Sequence, residues 1–358
     1  MLKILDRYIL KKFLTSYVFV VLVLVSVICI LDMTEKNDKF LKNHLPVSEI
    51  LSYYGDFALY MGNFITPLMV FITTVFVTSK LASHTEIIAT LSSGVTFKRF
   101  MVPYFIGAGL LASISFVANG WVIPNSNKSR LEFERAYLER QYYFDDQHVH
   151  IKLSPDSYLY LKSYNNHSNT GYRVSLETIE GNELKEKLTA RRMKWDQEKK
   201  AWTLFNWQLR KIDGMSEVVT KGNELDSAFN LKPKYFENQE KEYEALTLPE
   251  LDAAIADLQS RGTDTWKQYQ IEKLVRYTAP FAILILTFIG ITVSAKKARG
   301  GTGLQVAIGF VLAFVYIIFF MFGRTLAEKG AMEPLLAVWI PNIVFSVIGI
   351  FLYRSVPK

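Results

Sequence analysis

Long apolar runs separated by short polar segments occupy both ends of the chain, and the middle third follows a different pattern. Three apolar runs precede residue 124 and three follow residue 276. Each is close to the roughly 20 residues that a membrane-spanning helix needs. The runs cover residues 13–31, 57–78, 100–123, 277–295, 304–322 and 335–353. The pattern predicts an α-helical polytopic membrane protein with six spans in a three-plus-three arrangement.

The segment between the third and fourth runs has the short period of β-structure. From Tyr142 to about Lys232, aromatic and β-branched residues alternate with polar ones, as in Tyr172-Val174-Leu176. Turn signals such as Asp213-Gly214 separate these runs, which is typical of an antiparallel sandwich or roll. We therefore predict three regions: spans one to three in residues 1–123, an all-β domain in 124–247, and a connecting helix with spans four to six in 248–358.

Charge predicts the orientation of these regions. The chain is 50% hydrophobic and has a formal net charge of +7, and the basic excess flanks the apolar runs. Because such residues favour the cytoplasmic side, six spans place both termini in the cytoplasm and the β domain outside. The balanced charge of the middle third argues against nucleic acid as a partner. The cytoplasmic set is Lys3, Arg7, Lys11, Lys12, Lys80, Lys98, Arg99, Lys296, Lys297, Arg299, Arg354 and Lys358.

A short segment between the second and third runs, residues 81–94, predicts a small helix on the cytoplasmic side. Ser83 followed by Glu86 has the spacing of a capping box, and Gly94 is a suitable helix terminator. Ile87, Ile88 and Leu91 are expected to give the helix one apolar side. Glu86 suits two compatible roles from spacing alone, namely a helix cap and a charge presented to a cytoplasmic partner.

The sequence offers little catalytic chemistry. It contains no Gly-x-x-x-x-Gly-Lys-Ser/Thr motif, so we expect no ATP hydrolysis by a P-loop of its own and no cofactor. His148 and His150, near Asp145 and Asp146, are residue types that bind metals. A pair of surface histidines is the simpler interpretation.

Basic residues just beyond spans one and three form a second candidate site. They are either solvated charges or a rim that binds phosphates of an acidic lipid at the outer membrane surface. Arg276, beside Glu272 at the start of span four, is expected to be ion-paired rather than exposed to lipid. The candidate lipid-binding residues are Lys36, Lys39, Lys42, Lys128, Arg130 and Arg135.

Five short motifs in order along the chain resemble the lipopolysaccharide export permease family LptF/LptG, with a lean toward LptG. The resemblance covers nearly the whole chain. The motifs are Leu5-Asp6-Arg7-Tyr8-Ile9; Glu86-Ile87-x-Ala89 with Gly94; Ile271-Glu272-Lys273 with Pro280-Phe281-Ala282; Arg299-Gly300-Gly301; and Trp339-x-Pro341-Asn342.

The resemblance implies a multi-pass protein of the Gram-negative inner membrane whose β domain is a periplasmic jellyroll. It implies partnership with a sister permease, a dimer of an LptB-like ATPase subunit that binds the ATP, and periplasmic LptC- and LptA-like bridge proteins. Lipopolysaccharide would pass from the membrane to the jellyroll, with spans one and five as lateral gates. By the family motif, the residues that couple to the ATPase are Glu86, Ile87, Ala89, Leu91 and Gly94.

Two other functions remain open at this level. The chain is alternatively a permease-like mechanotransmitter of another ABC class, acting on a periplasmic partner. It is alternatively a membrane-anchored enzyme or sensor whose β domain captures a ligand. Loss of transport on substitution of Glu86 favours the permease over the sensor, and co-purified lipopolysaccharide favours it over the mechanotransmitter.

Overall fold

A computed structural model of the chain describes residues 3–138, 144, 146–181, 183–214, 216–227, 231–236, 241–261, 265–295 and 301–354. The described residues divide into two compact units. The first contains residues up to 138, from 243 to 251 and from 267 onward, and the second contains the described residues in 139–242 and 252–266. Outside the described ranges lie Tyr142, Asp145, Lys296, Lys297, Arg299, Gly300 and Lys358.

The first unit is helical, and the described residues contain six helices long and apolar enough to cross a membrane. The predicted number and order of spans are confirmed. The third span is continuous from Phe97 to Leu138, because short π-helical turns join α4 to α5 and follow α5. The helices are α1 Ile4–Lys42, α2 Val47–Ser83, α3 Glu86–Ser92, α4 Phe97–Val117, α5 Ile123–Phe133, α6 Leu248–Ser260, α7 Trp266–Ser294, α8 Gly301–Glu328 and α9 Pro334–Arg354.

The helices extend well past the apolar runs. The polar stretch 32–56 between the first two apolar runs has the composition of a loop, but it is helical except at residues 43–46. Its helical form is stabilised by Phe40, which is buried against Tyr54 and Phe133 with ring centroids 6.3 Å away in each case. Likewise, α5 belongs to the first, helical unit, which we call the membrane unit. The boundary between the membrane unit and the sheet unit therefore falls near residue 138 and not at the predicted 124.

Two apolar clusters join the spans. One packs Ile9 and Phe13 of α1 against Tyr104 of α4 and includes residues of α2, α3 and α7. The other joins α2, α7, α8 and α9 around Phe71 and Phe345. Both clusters depend on residues far apart in sequence, as expected for helices that pack in pairs.

Small and polar residues set the closest helix contacts. A Cβ on Gly323 of α8 would lie 2.5 Å from the Ala337 carbonyl oxygen of α9, so only glycine fits this crossing. Tyr316 of α8 donates its hydroxyl hydrogen to the side-chain oxygen of Asn342 on α9 at 2.9 Å. The Asn342 amide donates in turn to the Thr278 carbonyl of α7 at 3.3 Å. The side chains of Tyr316 and Asn342 are thereby hydrogen-bonded within the protein, as buried polar groups of membrane-spanning helices require.

The second unit is built on a six-stranded antiparallel sheet whose strands follow chain order. The predicted all-β insert between spans three and four is confirmed, and its described strands form an up-and-down meander. Trp202 is fully buried at the centre of its apolar core and donates its indole N–H to the Leu231 carbonyl at 2.8 Å. The strands are β1 Val149–Ser154, β2 Ser157–Asn165, β3 Thr170–Glu180, β4 Glu183–Asp196, β5 Ala201–Asp213 and β6 Ser216–Ser227.

Candidate functional site

The predicted short helix is present as α3, and one of its residues anchors it to the membrane unit. Ile87 is 2% exposed and belongs to the apolar cluster around α1, α2 and α4. Gly94 has a positive φ of 85° and its N–H donates to the Leu91 carbonyl at 3.0 Å. Gly94 therefore ends the helix as predicted, in a backbone conformation that glycine adopts without strain.

The predicted capping box is absent. Ser83 is the last residue of α2 and its hydroxyl donates to the Lys80 carbonyl at 2.9 Å. Glu86 is the first residue of α3, and Thr85 precedes it with a left-handed φ of 58°. Because α2 continues to Ser83, five residues past the end of the apolar run at residue 78, α3 starts too late for Ser83 to cap it. Of the two roles proposed for Glu86, the local capping role is therefore wrong.

The apolar residues of α3 do not share one side, which corrects the sequence prediction. Ile87 and the partly buried Leu91 face the cluster, whereas Ile88 is 53% exposed. Ala89 and Ser92 are also exposed. The residues Ile88, Ala89 and Ser92 define a surface that we call the exposed face of α3.

Glu86 lies beside the first helix. Its carboxylate accepts a hydrogen bond from the Tyr8 hydroxyl at 3.5 Å and lies 3.8 Å from the Lys12 ammonium. Its side chain is 39% exposed, so such a contact is weak and screened by solvent. Nearby, Arg99 of α4 is ion-paired with the buried Asp6 of α1. The start of α1 is thus held against both α3 and α4.

The candidate lipid-binding lysines of α1 differ in their surroundings. The Lys36 ammonium lies 2.8 Å from an Asp32 oxygen and donates to the Tyr53 hydroxyl at 2.7 Å. Lys39 is an exposed residue, and its ammonium donates to the Leu138 carbonyl at 2.7 Å. Lys42 is exposed at the end of α1. Exposed Lys42 and Lys39 retain the accessibility that binding a lipid phosphate needs.

The candidate lipid-binding residues of α5 and of the π-helical turn that follows it also differ in their exposure to solvent. Lys128 is exposed and lies 3.1 Å from a Glu250 oxygen. Arg135 is half-buried. Arg130 is 5% exposed and bonds to Glu134 at 3.0 Å and Glu244 at 2.8 Å. Its guanidinium is therefore enclosed between two carboxylates, an arrangement that connects helices and leaves little of it accessible.

A second buried arginine confirms the sequence prediction. Arg276 is 3% exposed and donates to Glu272 at 3.1 Å. It also donates to the carbonyls of Tyr243 at 3.0 Å and Leu246. Together, Arg130 and Arg276 fix the short segment 243–246 to α5 and α7. No sequence signal identified Glu244 as a partner, because more than a hundred residues separate it from Arg130.

The histidine pair makes contacts within the sheet unit. His148 precedes β1, and its Nδ1 lies 2.7 Å from the Tyr160 hydroxyl. The His150 and Tyr160 ring centroids are 5.0 Å apart. Within the part of the chain that the structure describes, no group of three or more metal-binding side chains occurs.

Two spans expose most of their apolar surface. In the most apolar 18-residue stretch of α1, 6% of the residues are buried, and in the corresponding stretch of α8, 22% are buried. The corresponding value for α2 is 61%. These two helices correspond to spans one and five, and their exposed sides are free for lipid or for another protein.

The fold and these features define a multi-pass membrane protein with an inserted antiparallel sheet and a short exposed helix between its second and third spans. Its sequence matches the family model for the lipopolysaccharide export system permease LptF/LptG over residues 7–355. It is 20% identical to the lipopolysaccharide export system permease protein LptF of Escherichia coli K12, over 98% of this chain and 94% of that protein. LptF of Shigella flexneri gives the same values.

The chain therefore belongs to the lipopolysaccharide export permease family LptF/LptG. Six apolar helices and this family make it a multi-pass permease subunit of the inner membrane. The family model covers both members and the relatives above are LptF proteins, so the lean toward LptG stays a prediction.

Proposed function

We propose that this chain is a permease subunit of an ATP-driven lipopolysaccharide exporter and that a separate ATPase subunit docks on the exposed face of α3. The observation that carries the proposal is the division of α3 into two sides. Ile87 fixes the helix to the spans, while Ile88 remains 53% exposed next to the accessible carboxylate of Glu86. An exposed apolar residue beside a charge on a rigidly anchored helix suits a protein–protein contact.

The energetics of the substrate explain why an ATPase partner is needed. Removing an acyl chain from a bilayer costs about 0.8 kcal/mol per CH₂ group, so a lipid with several chains does not leave spontaneously. The sequence contains no P-loop. Energy must then enter through a bound partner, a dimeric LptB-like ATPase in this proposal.

The exposed spans support a place for a sister permease and for the lipid. Val18, Phe19 and Leu22 of α1 and Phe314 and Phe322 of α8 are all more than half exposed. In a bilayer such surfaces face acyl chains or another helix. We assign α1 and α8 to the lateral gates, with the sister permease opposite them.

The sheet unit completes the proposed path. Basic flanking segments favour cytoplasmic termini and a periplasmic sheet, so the substrate would leave the gates onto the sheet and continue to LptC- and LptA-like bridge proteins. The exposed Lys39 and Lys42 remain the best placed of the predicted lipid-binding residues, since Lys36, Lys128 and Arg130 are ion-paired.

The test compares variants of α3 in cells that produce the sister permease and the ATPase subunit. We expect Ile88→Asp and Glu86→Gln to lower the amount of ATPase subunit that co-purifies, with Ile88→Asp reducing it about tenfold or more because a charge is buried in the contact. Glu49→Gln, an exposed carboxylate in the first turn of α2, is the matched control.

Three outcomes count against the proposal. Normal co-purification of both α3 variants would exclude α3 as the docking site. Ligand binding by the β domain that is unchanged when no ATPase subunit is present would instead favour the membrane-anchored sensor. A partner ATPase without any bound lipopolysaccharide would favour the mechanotransmitter.

A further inference from the structure

Each strand from β2 to β6 contains one residue that interrupts the regular alternation of side chains between the two faces of the sheet. These residues lie in one row across the five strands, and we call this row the crease. Core-facing positions on β4 are two apart at Leu188 and Ala190, as in any strand. The next core residue is Met193, three positions further. The same spacing occurs on β2 between Leu161 and Tyr164. The extra residues therefore cannot face the core.

The crease crosses five neighbouring strands without changing their register. On one side, Leu161 pairs with Val174, and on the other, Ser163 pairs with Tyr172. Arg173 lies between these two pairs with a positive φ of 52°, the backbone signature of a sharp local turn in the strand. The residues in the crease row are Lys162, Arg173, Arg191, Asn206 and Asn223.

Three cations are consecutive in this row. Lys162, Arg173 and Arg191 occupy adjacent strands, which lie about 4.8 Å apart. Arg192 follows at the next position, with its guanidinium 4.4 Å from the centre of the Phe205 ring. The ion pairs of the described strands involve other basic residues. Arg173 and Arg191 are exposed.

This arrangement works against the stability of the sheet. Like charges opposite each other on neighbouring strands are destabilising, and here three follow one another without a carboxylate between them. Acidic residues are available elsewhere in the sheet, where they pair with Lys187, Lys199 and Lys211 at 2.7–2.8 Å. A row of unneutralised cations points to an anion supplied from outside the unit.

A pocket beside Arg173 indicates what kind of anion fits. It has a volume of about 430 Å³ and is lined by Tyr158, Tyr160, Ser175 and Thr189 as well as Arg173. Its hydroxyl groups can donate to or accept from the hydroxyls of a sugar ring, and its aromatic faces can stack against the ring.

The one carboxylate in the pocket does not neutralise Arg173. Glu177 lies 2.7 Å from the Lys187 ammonium, and this contact lowers the pKa of Glu177 below its ordinary value. Glu177 is therefore a paired anion at neutral pH, and Arg173 keeps its charge for a ligand.

We propose that the crease binds phosphate groups on the saccharide of lipopolysaccharide through Lys162, Arg173 and Arg191. The core face of the sheet is on the opposite side from this binding surface. Arginine forms paired hydrogen bonds with phosphate, and the neighbouring pocket accepts a sugar ring. This inference rests on the proposed function and assigns the polar part of the substrate to a specific row.

The test measures binding of purified lipopolysaccharide to the full chain in detergent, before and after the lipopolysaccharide is dephosphorylated with a phosphatase. The wild-type chain should bind the native form about tenfold more tightly, equivalent to ~1.4 kcal/mol. The triple variant Lys162→Gln, Arg173→Gln, Arg191→Gln should bind both forms equally. The control triple variant Lys185→Gln, Lys199→Gln, Lys211→Gln removes the same charge from paired positions that do not line the pocket, and it should keep the preference.

The outcomes separate this inference from the proposed function. If the wild-type chain does not bind lipopolysaccharide at all, both fail. If it binds and the crease variant keeps the full preference for the phosphorylated form, the crease proposal alone is overturned. The same holds if both triple variants lose the preference equally.

Discussion

Replacing Arg130 tests whether the buried ion network holds the membrane unit together. Its side chain is 6% exposed and lies between the carboxylates of Glu134 and Glu244. Arg130→Met removes the cation that lies between two largely buried carboxylates, whose side chains are 12% and 14% exposed, a change that costs about 3–5 kcal/mol in comparable sites. Lys128→Met, two residues earlier, breaks an exposed pair with Glu250 and should cost less than about 1 kcal/mol.

Thermal unfolding of the purified chain in detergent measures the difference. At roughly 2 °C per kcal/mol for a chain of this size, Arg130→Met should unfold about 6–10 °C below wild type, and Lys128→Met within about 2 °C. Adding Glu134→Gln and Glu244→Gln to Arg130→Met should restore much of the loss, because neutral amides need no counter-charge.

Equal unfolding temperatures for the two single variants would refute this reasoning. An unchanged unfolding temperature of Arg130→Met together with weaker lipopolysaccharide binding would restore Arg130 to the lipid-binding role that the sequence suggested. A failure of the amide substitutions to rescue would show that the loss comes from packing against Tyr60, whose ring centre lies 4.3 Å from the guanidinium.

Three further predictions follow from exposed groups. Lys12→Met should leave ATPase co-purification unchanged or stronger whereas Glu86→Gln weakens it, since Lys12 competes for the Glu86 carboxylate; equal losses in a pull-down would contradict this. Arg191→Gln should raise the unfolding temperature of the sheet unit slightly by relieving like-charge repulsion, and a clear decrease would show a structural role. The Thr247 backbone N–H lowers the pKa of Glu250 below its ordinary 4.5. The first turn of α6 should therefore be protected from hydrogen exchange above pH 4.5, and this protection should be lost as the pH falls through the lowered pKa of Glu250. Glu250→Gln should show no such dependence on pH.

Apolar length determined what the sequence could predict about the spans. Six runs of sufficient length give six helices because lipid leaves the backbone no alternative to internal hydrogen bonding. The ends of these helices lie in polar sequence, and tertiary contacts such as those of Phe40 extend them. Residues 32–42 therefore look like a loop in the sequence and are helical in the structure.

The candidate site was predictable in its location and not in its orientation. Gly94 marked the end of α3 correctly because local turn chemistry ends the helix, whereas the capping box that was predicted to start it at Ser83 is absent. Which isoleucine is buried depends on the packing of α3 against α1, α2 and α4, and the periodicity of seven residues cannot decide it. Arg276 was predictable because its partner Glu272 is one helical turn away.

The crease illustrates a similar limit in the sheet. The sequence pattern Tyr172-Val174-Leu176 places the three side chains on one face. In the structure Val174 is 3% exposed whereas Tyr172 is 42% exposed, because the extra residue Arg173 reverses the alternation. An alternation of period two gives no signal for a residue inserted at the same row in the five neighbouring strands β2 to β6.

The most direct test of the proposed function is cysteine crosslinking between α3 and the ATPase subunit. Cys29 is the chain's one cysteine, so a Cys29→Ser background allows single cysteines at the exposed position Ala89 and at the exposed position Glu49 on α2. The account predicts a crosslink to the ATPase from Ala89→Cys and none from Glu49→Cys. No crosslink from position 89, or a crosslink from position 49 alone, would contradict it.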